Sequence, residues 1–277
     1  MNKRIEKMIK MLLVDDEAKA FLRTADRVLN SGSVSIRNNA FVPLVVAGEG
    51  CGFSSFGRVY SEIVDASRFQ TIRGTASFLE LVFPKDNERD ERLFFASPRR
   101  AASTRNRFYG TMLISFKEYA GKDLIESSSL EKLLKFMDEN KANIRYVLHI
   151  MPGFTAESKL IALLQDVVNV TEIHLDKPGI DNGFLYMMEG LKSQGVEVAE
   201  DVKKCIKEKA LPNIVERKSY SGYKTLNAFM ERLKFEAAMA LKNGECRVDK
   251  TVLDILLDKM EKEEADKNES PRMGFGN

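Results

Sequence analysis

One segment combines a glycine-rich turn with hydroxyl side chains, and it reads Ala47-Gly48-Glu49-Gly50-Cys51-Gly52-Phe53-Ser54-Ser55. It follows the short apolar run at residues 41–46, which is typical of a strand buried on both faces. An amphipathic stretch at residues 54–66 comes directly after it. A strand, a glycine turn and a helix in this order predict the opening of a β-α-β unit.

Such a turn can bind phosphate. Glycines let the backbone curl so that several N–H groups point at one anion, and the helix N-terminus behind the turn adds partial positive charge. In the pattern G-x-x-x-x-G-K-[ST], a lysine then reaches the phosphates and the hydroxyl ligates magnesium. The segment therefore predicts a nucleotide or anion site, unless it is only a tight strand-to-helix turn.

The register of the pattern shows what is missing. With Ser54 as the hydroxyl residue, Gly52 is the last glycine, Ala47 replaces the first glycine, and Phe53 occupies the lysine position. Phenylalanine cannot neutralise phosphate charge. The candidate binding residues, which form a vestigial site in this interpretation, are Gly48, Gly50, Cys51, Gly52, Phe53, Ser54 and Ser55.

Composition excludes several classes of protein. The chain has 277 residues, 44% hydrophobic and 30% charged, as expected of a folded protein, and its net charge of +2 gives no overall bias toward nucleic acid or membrane. The cysteines (Cys51, Cys205, Cys246) lack metal-ligand spacing, and there are only two histidines, His149 and His174. We therefore expect no metal site. Neither a signal peptide nor an apolar run of membrane-spanning length is evident, so we expect a cytoplasmic protein with no membrane partner.

Alternating patterns predict the fold class. Apolar runs at 78–83, 93–95, 111–114 and 145–150 read as further strands, and helical patterns lie before the first strand and at 129–140. This alternation predicts an α/β fold with a mostly parallel sheet and helices on both faces. From about residue 181 onward the patterns are helical only, with one face formed by Leu226, Phe229, Met230, Leu233 and Ala237.

These patterns divide the chain into four parts. We expect N-terminal helices over 1–40, with Asp15 or Asp16 as a helix cap, and an α/β P-loop-like core over 41–178. A helical domain over 179–262 and a flexible tail over 263–277 complete the prediction.

The order of these elements resembles an AAA+ ATPase module, specifically the bacterial branch that includes a stage V sporulation protein and the red-type Rubisco activase. Residues 47–58 stand where that family has its Walker A loop, and Gly110-Thr111-Met112-Leu113-Ile114-Ser115-Phe116 stands where it has the Walker B strand. Ser221-Gly222-Tyr223-Lys224-Thr225-Leu226 resembles the helix start that carries the sensor-2 arginine. The resemblance implies an AAA+-like P-loop fold followed by a small all-α lid domain.

The chain departs from the family's chemistry at several positions. Ser115 and Phe116 replace the Walker B Asp and Glu, which hold magnesium and activate water. Met151-Pro152 offers no polar sensor-1 residue, no arginine lies in 163–172 for a finger, and Lys224 lacks the fork of the sensor-2 arginine. Phosphoryl transfer depends on these parts together.

The leading hypothesis is therefore a pseudo-ATPase: a scaffold, adaptor or inactive subunit that binds a protein partner, without catalytic residues or metal, and with no nucleotide or weakly bound ATP or ADP. One alternative is a divergent ATP-binding AAA+ ATPase that remodels a partner protein. A second is a nucleic-acid-binding module that uses the basic residues between Arg92 and Arg107, which include Arg99, Arg100 and Arg105. A solvated face or a protein contact would explain the same arginines.

Other signals have simpler interpretations. Residues 12–17 resemble the acidic start of a receiver domain, but the helical spacing of the residues upstream disfavours a strand there, so we interpret the acids as helix caps. We expect His149 to be a satisfied core residue. We place Cys51, partly exposed, as either a passive small residue or a redox-sensitive thiol at a helix N-terminus.

Overall fold

The computed structural model describes residues 3–31, 41–67, 77–85, 87–101, 108–119, 121–240 and 247–269. The chain divides into two compact units, Met1–Asp176 and Lys177–Asn277. The helices described in the first unit are α1 (Lys3–Met11), α2 (Asp16–Leu29), α3 (Phe53–Ala66), α4 (Glu88–Ala101), α5 (Lys122–Ile125), α6 (Ser128–Asn140) and α7 (Glu157–Gln165). Its strands are β1 (Val42–Ala47), β2 (Ser77–Val82), β3 (Gly110–Ser115), β4 (Ile144–Ile150) and β5 (Val170–Leu175).

The five strands form one sheet in the order β2-β3-β4-β1-β5. All four pairings are parallel, which confirms the predicted parallel sheet. His149 on β4 lies in register with Ser115 on β3 and with Val45 on β1. The carboxyl ends of the three central strands therefore meet at one edge, where the segment that follows β1 also begins.

The sheet separates two hydrophobic cores. Val45, Leu113 and Val147 face one core, which they share with α1, α2 and α3. Neighbours of these residues, such as Met112 and Leu148, face the opposite core with α4, α6 and α7. Successive side chains of a strand point to opposite faces, so the central strands β1, β3 and β4, which lie between the two cores, are buried along their whole length. The prediction of helices on both faces is confirmed.

Helix α3 lies unusually close to the sheet at Gly57. A Cβ atom placed on Gly57 would lie 2.5 Å from Leu113 Cδ1, far inside van der Waals contact. The absence of a side chain thus permits the close approach of α3 to β3, and this approach fixes the start of α3 beside the carboxyl edge of the sheet.

The predicted strand at 93–95 is wrong, because these residues belong to α4. The Asn87 side chain accepts hydrogen bonds from the backbone N–H groups of Arg89 (3.0 Å) and Asp90 (3.3 Å), which caps the start of the helix. Phe94 then packs edge-on against Phe83, with ring centroids 5.2 Å apart. A local cap and a helical apolar face outweigh the β propensity of the aromatic residues. The basic segment that begins at Arg92 is therefore helical as far as Ala101, and Arg105 and Arg107 lie outside the described residues.

The N-terminal helices correct two smaller expectations. Residues 12–15 link α1 to α2, which begins at Asp16, so no strand precedes the acidic pair and the receiver interpretation is wrong. Asp15 stands at the cap position of α2, but its side chain makes no capping hydrogen bond.

The second unit is mainly helical. Its elements are α8 (Ile180–Ser193), β6 (Glu197–Val198), α9 (Glu200–Cys205), a π-helical turn (Ile206–Ala210), α10 (Leu211–Val215), α11 (Gly222–Met239), β7 (Arg247–Val248) and α12 (Lys250–Glu269). The two short strands pair in parallel, so the expectation of helices only is wrong in this detail. The predicted apolar face of α11 is buried in a core that includes Met187 and Leu253. Among the helices that the described residues form, none has the length and hydropathy needed to cross a bilayer.

Candidate functional site

The glycine-rich segment forms a tight loop between β1 and α3. Cys51 N–H donates to the carbonyl of Gly48 (3.3 Å), and the backbone has positive φ at Gly50 (77°) and Gly52 (88°). These are left-handed conformations in which glycine has no steric penalty. Cys51 is only 3% exposed, so its expected partial exposure is wrong. Its side chain belongs to the core shared by α1, α2 and α3, and a thiol buried there lacks the access that a redox-sensitive cysteine needs.

Phe53, the first residue of α3, covers the ring of His149. The two rings are parallel within 1° and their centroids lie 3.9 Å apart. The side chain at the lysine position of the phosphate-loop pattern is therefore turned back onto the carboxyl edge of β4. The two rings can stack because β4, which carries His149, lies directly beside β1, the strand that leads into α3.

His149 also joins the ends of two neighbouring strands. Its Nε2 lies 2.8 Å from the carbonyl oxygen of Ala47, and its Nδ1 lies 2.7 Å from Ser115 Oγ. A carbonyl oxygen can only accept, so Nε2 carries the proton. In the neutral ring, Nδ1 then accepts the hydrogen bond that Ser115 Oγ–H donates. Both ring nitrogens are satisfied, as we expected of a core histidine.

Electrostatics keep this histidine neutral. Burial lowers the pKa of His149 and outweighs the hydrogen bond to Ala47 and the negative charge of Glu80, both of which favour the protonated ring. The positive charge of Lys117 lowers the pKa of His149 further. The imidazole thus carries no charge near neutral pH.

The positions that match the Walker B acids are both buried. Ser115 is 3% exposed and its hydroxyl donates to His149, whereas Phe116 is fully buried and packs against Phe83 with ring centroids 5.3 Å apart. Because neighbouring residues of a strand point to opposite faces, Ser115 lies on the α3 side of the sheet and Phe116 on the other. Ser115 bonds to His149, which stacks on Phe53 at the start of α3. Phe116 lies in the core on the opposite face of the sheet.

The hydroxyl of Ser54 meets a carboxylate that the sequence analysis missed. Ser54 Oγ donates to Glu80 Oε1 at 2.5 Å, and the neighbouring Ser55 is exposed. Glu80 lies in register with Leu113, so it faces α3 from strand β2. The alternation of residues 78–82 could have indicated this face, but the adjacency of β2 to the loop required the sheet order.

The remaining predicted site residue, Lys224, lies in the second unit. It is in the first turn of α11, where its backbone N–H donates to the carbonyl of Ser221 (3.1 Å). Gly222, the first residue of this helix, has a φ of 50°. The helix start that the sequence predicted near Lys224 is therefore present.

No protein-family profile and no curated protein sequence matches this chain. Solved structures do match it. A point mutant of RuvB from Thermotoga maritima superposes with a TM-score of 0.57 at 12% identity, covering 89% of this chain and 69% of that one. The T. maritima RuvB Holliday junction branch migration motor gives a TM-score of 0.55 at 13% identity, covering 90% and 70%. At this level of identity the likeness concerns the fold alone, and it confirms the predicted AAA+-like α/β fold.

Proposed function

We propose that this protein is an AAA+-like pseudo-ATPase that acts through a protein partner, as a scaffold, an adaptor or the inactive subunit of a larger assembly. The observation that carries the proposal is the stack of Phe53 on His149, with His149 bonded to Ala47 and Ser115. Phe53 thus occupies the position where the resemblance expects a lysine. Ser115, bonded to His149, occupies the position where it expects a magnesium-binding acid.

The charges at the loop oppose phosphate binding. Phe53 supplies no cation, His149 is held neutral by burial, and the carboxylate of Glu80 bonds directly to Ser54. A triphosphate placed at this loop would lie beside that negative charge, with no lysine at the Phe53 position to balance it. Arg58, one turn into α3, lies over the ring of Phe78 at 5.1 Å. The backbone N–H groups and the α3 N-terminus are what the loop could still offer to an anion.

ATP hydrolysis would also lack the Walker B carboxylates that hold magnesium and activate water. The hydroxyl of Ser115 already donates to a buried partner, and the apolar ring of Phe116 lies in the core on the far side of the sheet. Neither side chain can accept a proton from water, and neither can hold magnesium as a carboxylate does. Positioning and charge stabilisation, on which phosphoryl transfer depends, are therefore both weakened.

Nucleotide titration tests the proposal. We expect the full chain to show no calorimetric binding of Mg-ATP at millimolar concentration and no ATP turnover above a buffer blank. The double variant Phe53→Lys and Glu80→Gln restores the cation and removes the opposing charge, so it should gain measurable ATP binding. Phe235→Leu, at a 61% exposed position, serves as the matched control. Turnover in the wild-type chain that Ser54→Ala abolishes would refute the proposal.

The first alternative is a divergent ATPase that remodels a partner protein. It retains support from the confirmed fold and from the curled loop at an α-helix N-terminus. Micromolar affinity of the wild-type chain for ATP or ADP in the same titration would favour this alternative over the scaffold.

The second alternative is a nucleic-acid-binding module. One matched structure is described as a Holliday junction branch migration motor, and α4 ends in two basic residues, Arg99 and Arg100. However, the first turn of the same helix is acidic, and Arg92 pairs with Glu88 at 3.3 Å. Binding to a branched DNA that weakens steeply with salt would support this alternative, and no binding at low salt would exclude it.

We also propose that residues 179–262 form the lid-like domain of this architecture, with Lys224 at the sensor-2 position, and that the protein works in the cytoplasm. The resemblance to the sporulation and Rubisco-activase branch supports the first point. The helical composition of the second unit agrees with it.

A further inference from the structure

A glutamate–histidine cluster is formed by strand β5 and the start of α7. Glu172 and His174 are two residues apart on the strand, so both side chains point to the same face. Glu157, the first residue of α7, joins them. One ligand atom from each residue lies within 4.8 Å of the other two.

The three side chains interact directly with one another. His174 Nε2 bonds to Glu172 Oε1, and the carboxyl groups of Glu157 and Glu172 share a hydrogen bond. Two carboxylates that lie this close repel each other when both are ionised, and a bound cation would relieve that repulsion.

The cluster is open to solvent on one side. The side chain of His174 is 60% exposed and that of Glu172 is 36% exposed. A hydrated ion can therefore reach the three ligands directly and keep water in its remaining coordination positions. Glu157 is half-buried at the start of α7, so its side chain has less freedom to move away from Glu172 and His174.

We propose that Glu157, Glu172 and His174 bind a divalent first-row transition-metal ion such as Zn²⁺. The imidazole distinguishes this set from a purely carboxylate site, because imidazole suits transition metals whereas an all-oxygen set suits Mg²⁺ and Ca²⁺. The ion would join the start of α7 to β5 through side chains from both elements. This inference is independent of the proposed pseudo-ATPase role, since none of the three residues belongs to the loop between β1 and α3 or to the stacked pair of Phe53 and His149.

Calorimetry with Zn²⁺ on the untagged full chain tests the site. We expect saturable binding of one Zn²⁺ per chain and a rise in the melting temperature, because a ligand that binds only the folded state stabilises it. His174→Ala and Glu172→Gln should each weaken binding by more than roughly tenfold, the smallest loss that removal of an outer-shell partner brings. Mg²⁺ should not compete with Zn²⁺ at equal concentration.

Two matched variants separate this site from incidental binding. Cys205→Ser removes a half-buried thiol and Glu131→Gln removes an exposed carboxylate on α6, and both should retain full Zn²⁺ affinity. Circular dichroism would establish that each variant is folded, and Glu172→Gln preserves side-chain shape. The inference is overturned if the wild-type chain binds no Zn²⁺, or if folded His174→Ala and Glu172→Gln bind it as tightly as the wild type.

Discussion

The ring of Phe53 lies flat on the ring of His149, with 3.9 Å between centroids and an angle of 1° between planes. Phe53 begins the helix that follows β1, whereas His149 is near the end of β4. Their contact closes the carboxyl edge of the sheet over a buried, neutral imidazole. It also places the residue that departs most from the phosphate-loop pattern on top of the residue that bonds to Ser115.

The stack itself should contribute to stability. Phe53→Leu keeps an apolar side chain but removes the ring contact, so we expect the free energy of unfolding to fall by about 1 kcal/mol, the usual magnitude for an aromatic pair. Urea denaturation monitored by circular dichroism measures this change. Phe235→Leu, in an exposed position on α11, should change the midpoint little. Equal losses in the two variants would show that the stack contributes nothing specific.

The hydrogen bond between Ser115 and His149 can be tested with a double-mutant cycle. Ser115→Ala leaves the Nδ1 atom of a buried histidine without its donor, which should cost about 1–3 kcal/mol. Ser115→Ala combined with His149→Leu removes both polar partners, so the second substitution should cost less in the Ser115→Ala background than in the wild type. Strict additivity of the two losses would contradict the bond.

The buried histidine should make stability depend on pH. Its folded-state pKa is lowered, so below the ordinary histidine pKa of about 6.5 the unfolded chain binds the proton more readily than the folded chain. The contribution of neutral His149 is complete above that pH and is lost as the pH falls toward the folded-state pKa. Between pH 7 and pH 5.5 the wild type should therefore lose more stability than His149→Asn.

Chemical denaturation at each pH measures this difference in slope. Between pH 7.5 and 8.5 the stability curves of the wild type and His149→Asn should run parallel, because the imidazole is neutral in both folded and unfolded chains there. Parallel curves down to pH 5.5 as well would mean that burial of His149 does not oppose its protonation.

The close approach of α3 to β3 predicts a strong effect at a single glycine. Gly57→Ala introduces a Cβ atom 2.5 Å from Leu113 Cδ1, and the resulting overpacking should cost about 1–3 kcal/mol although alanine favours helices. Thermal denaturation would report the loss. The double variant with Leu113→Ala should recover part of the Gly57→Ala penalty relative to Leu113→Ala, since the clashing atoms are gone. A neutral or stabilising Gly57→Ala would refute the tight contact.

Some features were predictable because they depend on local sequence. The apolar runs at β1, β3 and β4 are long and continuous enough to indicate buried parallel strands, and the face of α11 follows helical spacing. The prediction of a strand at 93–95 was wrong because three apolar residues fit a strand or a helix equally well. The cap at Asn87, which decides between them, consists of two backbone N–H groups that donate to one side-chain oxygen, and it is easily overlooked in the sequence.

The sequence by itself determined the alternation of buried strands with helices, the glycine turn after β1 and the replacement of a lysine by Phe53, since all three are properties of residue type and spacing. Only the tertiary structure decided that Phe53 covers His149, that Ser115 bonds to that ring, and that Glu80 faces Ser54. It likewise assembled Glu157, Glu172 and His174 from a helix and a strand. These groupings depend on which strands are neighbours and in what register, and long-range pairing of parallel strands leaves no local trace in the chain.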